Sequence, residues 1–198
     1  IPKVKEIAST CKSLSIGIFR LPDPSIDIDC LRALDKRMQG LTGILDAWMT
    51  VPYNPLLNEP EAYRLEKNVF RYGVKGIAEL VSIPGEINID ISDLRSVLNN
   101  AGTTYMSIGT GYGESGWIQA VTGASSNAFL DTSSPQGARR ILCKVISGYH
   151  LSLKVVNDIV HDIKQMGADE AEVIFGVALD SSHGQVTKII LVATDICS

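Results

Sequence analysis

Short apolar runs, six to eleven residues long, recur down this chain with helix-period stretches between them. "LSIGIF" (Leu14 to Phe19) and "ILDAWMTV" (Ile44 to Val51) read as buried strands, each followed by prolines. A charged helix fits between them, from Asp29 to Leu41, and another precedes them, from Pro2 to Lys12. Strand–helix alternation of this kind argues for a parallel sheet with crossover helices, since parallel neighbours need a long connection. A long helix follows from Glu61 to Ser82, with Phe70, Val74, Ile77 and Val81 at i, i+4, i+7 and i+11 as a core-facing stripe. Pro84-Gly85 ends it.

Beyond Gly85 the pattern changes. "GEINIDISDL" alternates Ile87, Ile89 and Ile91 with polar residues and then becomes a helix to about Asn100. "TTYMSIG" is a strand, Glu114 to Gly123 a helix, and "RRILCKVIS" a strand with alternation. A helix from Ser152 to Met166 starts at a serine cap. "EAEVIFGVAL" and "GQVTKIILVAT" are strands, and their tight join through "DSSHG" implies an antiparallel pair.

At 198 residues and 45% apolar composition the chain can bury a core without metal or disulfide staples; a chain of this size hides roughly 70% of its extended surface. A net charge of −4 leaves no footprint for nucleic acid or an anionic membrane. Cys11, Cys30, Cys143 and Cys197 form no C-x-x-C pair, and His150, His161 and His183 have no metal-ligand spacing with them. Reduced thiols and no metal site are expected, with neither a signal peptide nor a spanning segment. Ile1-Pro2 running into a helical pattern raises the expectation of a natural polypeptide that extends further upstream.

Two motifs compete as sites. "GTGYG" (Gly109 to Gly113) lies between a strand and a helix, but lacks both the trailing G-K-[ST] and the G-x-G-x-x-G spacing of phosphate loops. It reads as a plain strand-to-helix turn. Asp90 and Asp93 have the spacing of a capping box for the helix opening at Ile91, and their charges suit its N-terminal dipole. With the Ile87-Ile89-Ile91 row held to the core, Asn88 and Asp90 would project together. Three polar groups on one rim exceed what a cap requires.

"GVKGIAELVSIPGEINIDISDLRSVL" strongly resembles the FtsZ family of bacterial cell-division GTPases, in the tubulin superfamily, with its G-V-x-G-I-x-x-L-I helix and P-G-x-I-N-x-D-x-x-D loop. "AGTTYMSIGTGYGE", "SSNAFLDTSSPQGARRILCKVISG", "LSLKVVND", "VIFGVALD" and "VTKIILVATDI" resemble the elements that follow in that family. The resemblance implies an α/β fold: the end of a parallel Rossmann-like nucleotide domain (1–60), a central helix (61–84) and a four-stranded α/β activation domain with three helices (85–198). It implies that Asn88, Asp90 and Asp93 act in trans, completing the nucleotide pocket of the next subunit in a homopolymer. GTP and magnesium are the implied cofactors, though this chain alone is expected to bind and hydrolyse little. Tyr63, Asn68 and Asn54 would be a partial guanine side. The expected setting is cytoplasmic, with division-machinery adaptors as further partners. The family's guanine-reading acidic position falls at Lys67 and an asparagine position at Tyr53, so a non-catalytic, filament-capping module is the alternative.

Overall fold

The computed structural model describes residues 6, 13–20, 40–51, 59–126 and 134–196, with side chains omitted at 20 and 59–67. The expected helices at Pro2 to Lys12 and Asp29 to Leu41 lie almost wholly outside these residues. Strands β1 (Ile16–Arg20), β2 (Ala47–Val51) and β3 (Gly102–Thr103) form a parallel sheet in the order β1-β2-β3. Helix α1 (Glu59–Ser82) and helix α2 (Ile91–Leu98) lie between β2 and β3 in sequence, and a second sheet follows β3. That second sheet contains β4 (Tyr105–Tyr112), β5 (Ala138–Ser147), β6 (Gly167–Leu179) and β7 (Val186–Thr194), ordered β4-β7-β5-β6. Helix α3 (Gly116–Ser126) follows β4, and α4 (Leu153–Met166) links β5 to β6 with Ser152 as its cap.

Both faces of the second sheet are covered. Ile190 and Val192 join α1, α2 and β2 in one core with Leu80, Val97, Leu98 and Met49. Ile189, Leu191 and Ala193 face the opposite way, against Ala120 and Ala124 of α3 and Ile159 and Ile163 of α4. Burial on two faces is why "IILVA" is continuously apolar. The same cause overrides the alternation expected in β5, which is buried without interruption from Ile141 to Ser147.

Two other expectations are corrected. β6 and β7 run antiparallel but do not pair: β5 lies between them, parallel to β6 and antiparallel to β7. Their short connection spans the end of β5, where Asp180 N–H bonds to Ser147 O at 2.8 Å. The stripe on α1 holds for Phe70, Ile77 and Val81, which pack against the core, and fails at Val74. Val74 is 61% exposed and Leu80 fully buried, and the inward face also uses Gly73 and Gly76. Counting only large apolar residues hid a face built partly from glycine.

The glycines of "GTGYG" have a packing role. A Cβ on Gly109 would fall 1.8 Å from Ala120 O and 2.5 Å from Ala124 N, both backbone atoms of α3. One on Gly111 would fall 1.8 Å from Gly116 O. The motif lets α3 lie directly on β4. Gly109→Ala is expected to push α3 away at a cost of about 1–3 kcal/mol or more, read as a lowered urea midpoint.

Candidate functional site

Ser82 closes α1, and the chain turns through Pro84-Gly85 onto the edge of the second sheet. Gly85 lies so close to β6 that a Cβ would sit 2.1 Å from Val177 O. Ile87 makes a two-bond bridge to Val177, its N–H donating at 3.1 Å and its carbonyl accepting at 2.9 Å. Ile89 is the plug: it is 3% exposed, and Gly176 below it leaves room that a Cβ would fill at 2.8 Å. The expected three-isoleucine row is thus reduced to one side-chain anchor, with Ile87 40% and Ile91 55% exposed. A backbone bridge does the work assigned to the outer two.

Asn88 and Asp90 project outward as expected. Asn88 Oδ1 accepts from Gly85 N–H at 2.9 Å, which leaves its amide nitrogen as the outward donor. Asp90 Oδ1 accepts from Asp93 N–H at 2.9 Å, and Asp93 Oδ2 accepts from Asp90 N–H at 2.9 Å. The capping box is therefore complete at α2. Ser92 Oγ donates to Asp90 Oδ1 at 2.6 Å, a support the sequence reading missed, although a serine two residues beyond an N-cap aspartate was the available signal. The far end of α2 is tied down too, Arg140 reaching both Ser96 O and Asp195 while Thr194 Oγ1 donates to Val97 O at 3.0 Å. An open groove of about 480 Å³ is lined by Val81, Ser82, Pro84, Asn88, Ile89, Asp90 and Ile91.

The Ser92 hydroxyl, then the Asp93 N–H, hold the Asp90 carboxyl below its ordinary value of 3.8. The sign follows. Asp90 contributes stability that is fully present above 3.8 and is lost as pH falls through its lower folded value. An NMR titration of the Asp90 carboxyl is expected to show a depressed midpoint, and Ser92→Ala to return it upward.

Capping does not exhaust these carboxylates. Each offers roughly four lone-pair positions, and the box occupies few of them. The box instead fixes the pair in one orientation on an exposed rim.

Of the three expected guanine-side residues, only Asn68 is described with its side chain. Asn54 lies outside the described residues, and Tyr63 is placed only by its backbone in α1. Asn68 is exposed on α1. At 1.5 Å per residue, Asn68 lies about 21 Å and the Tyr63 backbone about 29 Å along the axis from Ser82. Among the described residues no group of three or more His, Cys, Asp or Glu could hold a metal ion, and no described helix is long and apolar enough to cross a membrane.

A parallel nucleotide-type sheet, a central helix ending in a carboxylate loop, and a four-stranded α/β sheet together define a tubulin-like C-terminal half. Residues 102–197 match the model of the FtsZ family, C-terminal domain. The chain is 30% identical over 200 residues to the cell division protein FtsZ of Caulobacter vibrioides, covering 98% of itself and 39% of that relative. Against FtsZ of Buchnera aphidicola the identity is 28% over 202 residues, with 98% and 53% covered. An empty FtsZ dimer from M. jannaschii superposes with a TM-score of 0.80 at 25% identity, over 98% of this chain and 58% of that one. CetZ1 from Haloferax volcanii, at 14% identity and a TM-score of 0.76 over 100% and 60%, shares the fold. Residues 102–197 carry the C-terminal domain of the FtsZ family, and the chain is FtsZ-like along nearly its whole length while spanning about two fifths of the Caulobacter relative.

Proposed function

We propose that this chain is the activating half of a polymer-forming GTP hydrolase, supplying Asn88, Asp90 and Asp93 to a nucleotide held by the next subunit. The observation that carries the reading is the placement of an oriented carboxylate pair, Asp90 exposed and Asp93 half-buried, at the start of α2 just beyond the end of α1. The guanine-side positions Tyr63 and Asn68 lie toward the other end. A helix of this length separates the two half-sites by more than a nucleotide can span, so one copy's carboxylates reach another copy's phosphates.

The roles follow from the groups. Asp90 and Asp93, as acceptors, orient a water for in-line attack on the terminal phosphate. Asn88, its carbonyl held by Gly85, donates from its amide nitrogen to a phosphate or to the water. Magnesium bound with GTP supplies the positive charge that offsets phosphate crowding. Exposed Ile87 and Ile91 flank the rim and would exclude solvent once a second copy docks.

The test is phosphate release and filament pelleting by the polypeptide that carries this chain, for the wild type and for Asp93→Ala. Assembly with hydrolysis that Asp93→Ala removes supports the activating role. Tyr53 and Lys67, standing where the family places nucleotide-reading side chains, favour a second reading, a non-catalytic interaction or filament-capping module. Binding to filaments without any wild-type hydrolysis selects that one.

A further inference from the structure

We propose that Lys144 is the positioning residue for the Asn88–Asp93 loop, capping the C-terminal end of α1 from the middle of β5. The proposal rests on the activating role given above to that loop. Lys144 is fully buried, between Cys143 and Val145, which are buried as well. An ammonium taken out of water is tolerated when its N–H groups are met. Here Nζ donates to Leu80 O at 2.9 Å and to Ile83 O at 2.5 Å.

These acceptors give the contact its meaning. Leu80 lies in the last turn of α1, where carbonyls lack partners within the helix and the dipole is negative. α1 has no basic residue of its own in that turn. Lys144 brings the missing charge from another element, 64 residues along the chain. Ile83 immediately precedes Pro84-Gly85, and the Gly85 N–H is what holds Asn88. The loop's root is thus pinned to the sheet on which its tip already rests through Ile87 and Val177. Burial pulls the Lys144 pKa below its ordinary value of 10.5, with the Glu79 carboxylate opposing that shift. Glu79 is itself paired with Lys75 and with Lys188 of β7.

A lysine that merely filled space would be replaceable by methionine, which matches its length without its donors. The experiment is residue-resolved amide hydrogen exchange on the full chain for wild type, Lys144→Met, Lys144→Gln and Lys188→Met. Exchange at Ile87, Asp90 and Asp93 is expected to accelerate about tenfold or more in Lys144→Met, with β7 and α4 amides within roughly twofold of wild type. Lys144→Gln, which keeps an N–H donor, is expected to recover part of that protection. Lys188→Met, which breaks a side-chain tie to Glu79 of the same helix without removing a donor from its terminal carbonyls, is expected to leave the loop unchanged. Unaltered loop exchange in Lys144→Met, uniform acceleration throughout the protein, or equal loop acceleration in Lys188→Met overturns the proposal. Should Lys144→Met fail to fold, Lys144→Gln against wild type decides by the same criteria. In the hydrolysing polypeptide, kcat is expected to fall with KM for GTP unchanged. A loosened loop with an unchanged kcat keeps the positioning role and overturns the activating one.

Discussion

Asp93→Ala in the polypeptide that carries this chain is expected to lower assembly-coupled phosphate release by about 100- to 10,000-fold, the range for a positioned acid–base group. Each factor of ten is 1.36 kcal/mol of barrier, so the loss is roughly 2.7–5.4 kcal/mol. The same substitution removes one half of the capping box, and a lost cap costs about 0.5–2 kcal/mol. At this chain length that corresponds to a fall in Tm of about 2–4 °C per kcal/mol. The two effects differ enough to be separated. Asp90→Asn sharpens the comparison, because asparagine caps well while removing the charge that faces the neighbour. It is expected to melt close to wild type and still lose hydrolysis. Mixed into wild-type protein, either variant is expected to lower turnover in proportion to the filament contacts it occupies. Normal phosphate release from a protein with lowered Tm would reduce Asp90 and Asp93 to helix caps.

Much of this site was legible because its signals are local. Asp90 and Asp93 announce a helix start through spacing alone, and the box forms with both reciprocal bonds. The resemblance of the surrounding loop singled out the residues that the structure gathers on one rim. What held the loop there was not legible. The Ile87–Val177 bridge and the Gly85 and Gly176 contacts join residues some 90 positions apart, and no local pattern encodes such a pairing. Lys144 did leave a trace, as a charge in the middle of "RRILCKVIS". Its partners are main-chain carbonyls, whose positions a sequence does not display.

The fold divides in the same way. Strand runs and helix periods located the elements, because burial on two faces gives continuous apolar runs such as "IILVA" in β7. Pairing was harder. The short "DSSHG" join suggested that β6 and β7 were neighbours, yet β5 separates them. The six residues between β6 and β7 can cross one intervening strand, since neighbours lie only about 4.8 Å apart. Connection length thus constrained direction, which was right, but not adjacency.

The orientation of α1 carries the second large effect. Leu80→Ala is expected to destabilise the protein by about 2–5 kcal/mol, through lost burial and the cavity left behind. Leu80 is 0% exposed and packs in the core shared by β2, α2 and the second sheet. Its carbonyl receives Lys144, so the backbone on its C-terminal side is pinned and has little freedom to collapse into the void; costs lie at the upper end where a site cannot relax. Ile77 is only partly buried against the same core, and its alanine variant is expected to cost less. Val74, 61% exposed, should tolerate alanine within about 0.5 kcal/mol. Urea midpoints for the three variants therefore rank Leu80, Ile77, Val74 in falling order of damage. The periodic stripe read from sequence places Val74 inside and demands a large loss there. A midpoint for Val74→Ala as low as that for Leu80→Ala would put Val74 back inside and rotate α1 away from the face on which Gly76 and Leu80 now meet the sheet.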